Sequence, residues 1–204
     1  MTVRWQKDWL LLPWGFALHE PTATAVLADL HLGYTAARQR LGDAIPFRSV
    51  RDEMQPLRDA AARYSISQLL VAGDLFERGF DTDICRSFFD VLAECEIRFL
   101  GLVPGNHDRH VEKAGIELPL LEKGEVAGWE ITHGNQPSDA PRSIAGHWHP
   151  AVIQKGRKRP CFLTRKSHLI LPAFSRDAAG SDVRLNPTWQ GWDRWIIDLD
   201  HVTM

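Results

Sequence analysis

Three short apolar runs, at residues 24–28, 68–72 and 97–103, each stop abruptly at a polar segment. The first leads into Asp29, the second into Gly73-Asp74 and the third into Pro104-Gly105-Asn106. Between them the period lengthens. Residues 47–64 are rich in Ala, Arg, Met and Leu, and within 81–95 Ile84, Phe88, Val91 and Leu92 recur at helical spacing. Asp81 or Thr82 is placed to cap that second helix. The alternation β-α-β-α-β predicts an α/β fold with functional loops at the carboxyl ends of its strands. Past about residue 116 the pattern becomes a succession of short β-like runs punctuated by Gly and Pro, at 125–132, 143–145, 151–154, 161–163, 168–171 and 194–199. Near the start, 9–18 reads as a core-facing strand although Pro13 and Gly15 interrupt it. It follows Arg4 and Lys7 as a leader peptide would, but no convincing cleavage site comes after it, and it is too short to span a bilayer. With no long linker or repeat, residues 1–204 are expected to form a single domain: a pair of mixed sheets flanked by helices.

Composition adds little to the fold and something to the setting. A chain of 204 residues with 44% hydrophobic positions can bury a core without covalent staples. Cys85, Cys95 and Cys161 are odd in number and lack C-x-x-C spacing, which argues against a disulfide framework or zinc knuckle and for a reducing, cytoplasmic setting. The net charge of −2 by itself says nothing about a polyanionic partner; its distribution says more. From 140 to 176 there is no Asp or Glu, while Arg142, Lys155, Arg157, Lys158, Arg159, Arg165, Lys166 and Arg176 fall there. Such a tract is either a solvated hairpin or a surface for a polyanion.

Five segments carry the candidate chemistry: Asp29-Leu30-His31, Gly73-Asp74, Gly105-Asn106-His107-Asp108, Thr132-His133-Gly134 and Gly146-His147-Trp148-His149. Most are weak alone, since a D-x-H is common and an H-x-H is more often a surface pair; Gly105-Asn106-His107-Asp108 is more specific, although Pro-Gly-Asn is also good turn chemistry. Together they offer two carboxylates, an amide oxygen and four imidazoles, with His107 to spare, which suits two adjacent divalent cations. In D-x-H, extended backbone would point Asp29 and His31 the same way and Leu30 into the core. His19, His110, His168 and His201 lie outside these segments and are expected to be structural.

In this order the segments resemble the calcineurin-like metallophosphoesterase superfamily, whose fold is a four-layer α/β/β/α sandwich. The resemblance implies one cation on Asp29, His31, Asp74 and His149 and another on Asp74, Asn106, His133 and His147, with Asp74 bridging. It implies His107 as the catalytic imidazole, Asp108 as the residue that orients it, and in-line attack by a water-derived hydroxide with His107 assisting the leaving oxygen. Ala28-Asp29-Leu30-His31-Leu32-Gly33, Gly73-Asp74-Leu75-Phe76, Gly105-Asn106-His107-Asp108-Arg109, Gly146-His147-Trp148-His149-Pro150 and Leu171-Pro172-Ala173-Phe174 resemble a narrower bacterial group, the ligase-associated DNA-damage-response endonucleases. That group implies manganese-dependent DNA cleavage in repair, with DNA as substrate and repair ligases or helicases as partners. Mixed O/N ligation also suits Fe²⁺ or Zn²⁺. Arg78, Arg109, Lys155, Arg157, Lys158 and Arg159 are candidates to grip backbone phosphates. Two alternatives stay open. Glu77-Arg78-Gly79 after Gly73-Asp74 is similar to a protein-phosphatase motif, so a phosphomonoesterase is one. A non-catalytic scaffold on the same fold is the other, disfavoured because no ligand is missing.

Overall fold

The computed structural model describes residues 2–113, 118–134, 138–154, 156–198 and 201–204. The apolar runs of the first half form one mixed sheet laid out in chain order: β1 (Val3–Trp5), β2 (Trp9–Leu12), β3 (Phe16–His19), β4 (Thr24–Leu27), β5 (Gln68–Val71) and β6 (Arg98–Leu102). Strands β1 to β4 pair antiparallel, and β4, β5 and β6 pair parallel. The single strand expected over 9–18 is therefore a hairpin. Pro13 and Gly15 turn the chain, and Gly15 N–H donates to the Leu12 carbonyl at 3.0 Å with φ +86° at the glycine.

These strands are apolar at nearly every position because both faces are covered. Leu10, Leu12, Leu18, Leu27, Leu69 and Val71 face the helices, whereas Trp9, Leu11, Val26 and Leu70 face the second sheet. The helices are α1 (Tyr34–Arg40), α2 (Val50–Glu53), α3 (Gln55–Ala61) and α4 (Thr82–Glu94). Asp81 caps α4, its Oδ1 accepting from the N–H groups of Asp83 and Ile84 at 3.0 and 3.1 Å. Cys85, Phe88, Val91 and Leu92 are the buried stripe. The helix expected over 47–64 is broken in two at Met54: Pro56 has no N–H to continue the ladder and instead serves as an early position of α3. α1 gave no apolar period in the sequence, since it buries only Thr35 and Ala37.

The second half builds the other mixed sheet from β7 (Gly124–Val126), β8 (Trp129–Thr132), β9 (Ser143–Ala145), β10 (Pro150–Gln154), β11 (Arg157–Arg165), β12 (His168–Ile170), β13 (Ser181–Asp182), β14 (Asp193–Asp198) and β15 (His201–Thr203). Their order is β13-β10-β11-β12-β9-β8-β7, with β14 branching from β11 and β15 pairing β14. The expected run 125–132 is a hairpin turned by Ala127 and Gly128, both at positive φ, as a tight two-residue turn requires. The last residue of the run expected at 194–199 lies outside the described residues.

Between the sheets Trp129 meets Trp5 and Trp9 edge-on, with ring centroids 5.0 and 5.9 Å apart, and Phe162, Leu169 and Ile131 fill the same layer. The outer face of the second sheet packs under the short 3-10 turn Pro187–Trp189. The result is a layered α/β sandwich of helices, two mixed sheets and an outer cover. Strands β8, β9 and β12 are mutually parallel, as are β4, β5 and β6. Their carboxyl ends meet: Phe174 N–H, beyond β12, donates to the Ala28 carbonyl beyond β4 at 2.9 Å.

Candidate metal centre

The first half of the centre is a zipper between two strand ends. Asp29 N–H donates to the Gly73 carbonyl at 3.0 Å, His31 N–H to that of Asp74 at 2.9 Å, and Leu32 N–H to that of Leu75 at 2.9 Å. Asp29, His31 and Asp74 sit at φ +55°, +47° and +50°. The expected extended D-x-H geometry is thus corrected: the chain alternates through left-handed positions, which non-glycine residues rarely adopt without being held. The consequence is nonetheless the expected one, with Leu30 in the core under the helices and both flanking side chains in one cluster. Gly73, at φ +87°, has no substitute here, because a Cβ would lie 2.0 Å from His133 Nδ1.

The second sheet supplies the rest. His133 follows β8, and His147 and His149 lie between β9 and β10, again at positive φ. Trp148 turns outward and is 40% exposed. Both oxygens of Asp29 accept from the His147 N–H, at 3.1 and 2.9 Å, which locks a first-sheet carboxylate to a second-sheet loop.

Donor atoms of Asp29, His31, Asp74 and His149 lie within 4.8 Å of one another. His149 Nε2 is 3.3 Å from Asp29 Oδ1. Beside them, His133 Nε2 is 3.1 Å from Asn106 Oδ1, 3.1 Å from His147 Nδ1 and 3.5 Å from Asp74 Oδ2. Asp74 therefore stands between the two sets: its Oδ1 accepts from His107 N–H at 2.8 Å, and its Oδ2 lies between His133 and, at 4.0 Å, His31. Asp29 and Asp74 are buried at 0% and 2% exposure, a cost that carboxylates bear only with cationic or donor partners. His31 Nε2 is buried with no hydrogen-bond partner among the described residues. A buried imidazole nitrogen without a partner, amid two carboxylates, fits a cation.

Charge at the centre is tuned from Glu77, to which the sequence assigned no role in the site. Burial works to lower the His31 pKa, but the Glu77 carboxylate, 3.0 Å from Nδ1, together with Asp74 and Asp29, raises it overall. Burial, with His133 beside it, lowers the pKa of His147 and favours the neutral imidazole, the form able to ligate a cation. The sequence placed Glu77 only in the Glu77-Arg78-Gly79 motif; its position against His31 depends on a loop of no periodic pattern, and its three-residue offset from Asp74 was the available signal.

The orienting role expected of Asp108 is corrected. Its carboxylate is buried and accepts from Gly105 N–H at 2.8 Å and Phe76 N–H at 3.0 Å, so it braces the two loops. Burial pushes its pKa up to about 6 against those two hydrogen bonds. His107 instead places Nδ1 2.9 Å from the Glu77 carbonyl. Adjacent residues in a turn project apart, which sends His107 to the surface and Asp108 inward.

Of the expected phosphate-gripping residues, Arg78 and Arg109 line a depression of about 430 Å³ with Asn106 and His107. Lys158 lines a narrow neck with His149, and Arg157 and Arg159 line the wider groove beyond it. Lys155 lies outside the described residues. Among the other histidines, His19 bonds Thr22 Oγ1 at 2.8 Å, His168 bonds Ser143 Oγ at 2.9 Å, and His110 is exposed beside Glu112.

Residues 23–153 match the family model for the calcineurin-like phosphoesterase. The crystal structure of Pseudomonas putida nuclease MPE superposes with a TM-score of 0.75 over 99% of this chain and 98% of that one, at 18% identity, a likeness of fold. Chaetomium thermophilum Vps29 aligns over 78% of this chain and 74% of its own at 15% identity, with a TM-score of 0.40, too low to bear on the fold. No curated protein matches the sequence.

Proposed function

This chain belongs to the calcineurin-like phosphoesterase family, and on that premise we propose that it is a dinuclear-metal phosphodiesterase, a manganese-dependent DNA endonuclease of DNA repair. The observation that carries the reading is the convergence of two donor sets on one shared carboxylate, Asp74. Asp29, His31, Asp74 and His149 would hold one cation, and Asp74, Asn106, His133 and His147 the other. Such ions supply Lewis acidity, a nucleophilic water near neutral pH and neutralisation of developing charge. The chain's own groups do the rest. The Glu77 carbonyl accepts from His107 Nδ1–H and orients the ring. His107 can then exchange a proton with the leaving oxygen, help of a kind worth roughly 10²–10⁴ in rate. Arg78 and Arg109, in the same depression, hold the nonbridging charge of the adjoining phosphate. No base-reading element accompanies them among the described residues, and recognition on this reading follows backbone and shape.

Cleavage of circular single-stranded and supercoiled DNA tests this, with Mn²⁺ or EDTA and with Asp74→Ala in parallel. Mn²⁺-dependent cutting that Asp74→Ala lacks is expected, and circles make it endonucleolytic because they offer no ends. A second reading, a phosphomonoesterase, draws on Arg78 and Arg109 beside His107, where two cations suit a terminal phosphate. Intact circles together with rapid hydrolysis of p-nitrophenyl phosphate would decide for it.

A further inference from the structure

A strand cut at this centre must leave it on both sides. One side is the depression of Arg78 and Arg109; the other begins at His149. There a neck lined by His149, Lys158 and Arg176 adjoins a groove of about 500 Å³ that Trp14 also lines, and the two share Lys158, Pro160, Ala173, Ser175 and Arg176. We propose that this groove is a single-strand DNA track, in which Lys158 and Arg176 hold backbone phosphates and the Trp14 ring stacks a base several nucleotides from the scissile bond. The proposal rests on the nuclease reading and extends it to residues outside the centre.

Three observations carry it. The groove is built onto the centre, since its floor residue Ser175 donates its N–H to the Asp29 carbonyl at 3.1 Å. Its lining carries Arg157, Lys158, Arg159 and Arg176 against only Asp59 and Asp198. Asp198 is paired with Arg159 at 2.9 Å, which takes one cation with it, and Asp59 keeps its charge while accepting from Gln55 at 2.7 Å, so Arg157, Lys158 and Arg176 outweigh the one remaining carboxylate. Finally, Trp14 is half-buried in the hairpin between β2 and β3, with Tyr64 edge-on at 6.1 Å and the Arg63 guanidinium over one face of the ring, 5.3 Å from its centre, so that a base would stack on the opposite face. A ring fixed in this way loses little freedom on stacking. Cationic grooves with aromatic platforms hold unpaired strands, because a base buried in its own duplex offers no face.

The test is fluorescence anisotropy of a labelled 16-mer oligothymidylate on the Mn²⁺-loaded full chain, in a His107→Asn background that leaves the strand uncut. Trp14→Ala and Arg176→Glu are each expected to weaken binding about tenfold or more, while Trp14→Phe retains most of it. Arg176→Glu is also expected to reduce the slope of log K against log salt by about 0.7 or more. Arg176 is exposed, so that variant keeps the test clear of any folding defect at Trp14. Unchanged affinity in Arg176→Glu and in natively folded Trp14→Ala overturns the track, as does equal binding of a blunt 16-base-pair duplex. Groove-sensitive binding with circles left intact under Mn²⁺ instead sinks the nuclease reading and leaves the track standing.

Discussion

Gly105 measures how little room the centre leaves. A Cβ there would lie 2.2 Å from Asp74 Oδ1 and 2.6 Å from the Asp74 backbone nitrogen, and backbone cannot swing aside. Gly105→Ala should therefore displace the shared carboxylate and cut Mn²⁺ affinity at least tenfold, as titration calorimetry would show; wild-type affinity in a folded variant would mean that Asp74 is not the bridge. The same economy explains the left-handed backbone at Asp29, His31, Asp74, His147 and His149. Five side chains are aimed by strained positions that neighbouring loops hold in place, a burden of order 1–3 kcal/mol each that suits a function more than a fold.

Between elements, Glu53 ties α2 to the start of α1. Its Oε2 accepts from Gly33 N–H at 2.9 Å, while Oε1 is buried with no hydrogen-bond partner among the described residues. Burial pushes its pKa from 4.5 up to about 7 against that single hydrogen bond. The folded chain then holds a proton that the unfolded chain releases. Its stabilising effect is complete below about pH 4.5 and is lost as pH rises through 7. Glu53→Gln keeps the acceptor and removes the titration. Its stability relative to wild type should rise between pH 5 and pH 8, by at most on the order of 3 kcal/mol. Urea unfolding of both proteins in EDTA at the two pH values measures this, and a pH-independent difference would show Glu53 to be ionised in the fold.

Across the whole molecule, the centre is where two sheets are joined. Asp29, His31, Asp74, Asn106 and His107 come from the first, and His133, His147 and His149 from the second. A cation held by both binds only the folded chain, so Mn²⁺ at a hundred times its Kd should add about 2.7 kcal/mol. For a chain of this size that is a rise in Tm of roughly 5–11 °C. Scanning calorimetry with Mn²⁺ and with EDTA checks it, with Asp74→Ala expected to show no rise; a wild-type Tm indifferent to millimolar Mn²⁺ would leave the cluster without a metal.

What local pattern could decide, it decided: β4, β5, β6 and α4 were legible because their apolar periods are set by burial on one or both faces, and Asp81 because capping is a contact within four residues. The residues that the fold gathers into the cluster were legible for the same reason, each following the end of a strand. The hairpin at Pro13–Gly15, the break at Pro56 and the helix α1 were not legible, because a turn inside an apolar run and a helix burying only Thr35 and Ala37 leave no distinct period. Tertiary structure settled what depends on partners distant in sequence. It carried Asp108 inward to Gly105 and Phe76, set the Glu77 carbonyl against His107, and brought Ser175 onto Asp29 so that the groove opens at the centre. Such contacts leave no period in the sequence, because they are fixed by how two sheets pack and not by the spacing of residues along either one.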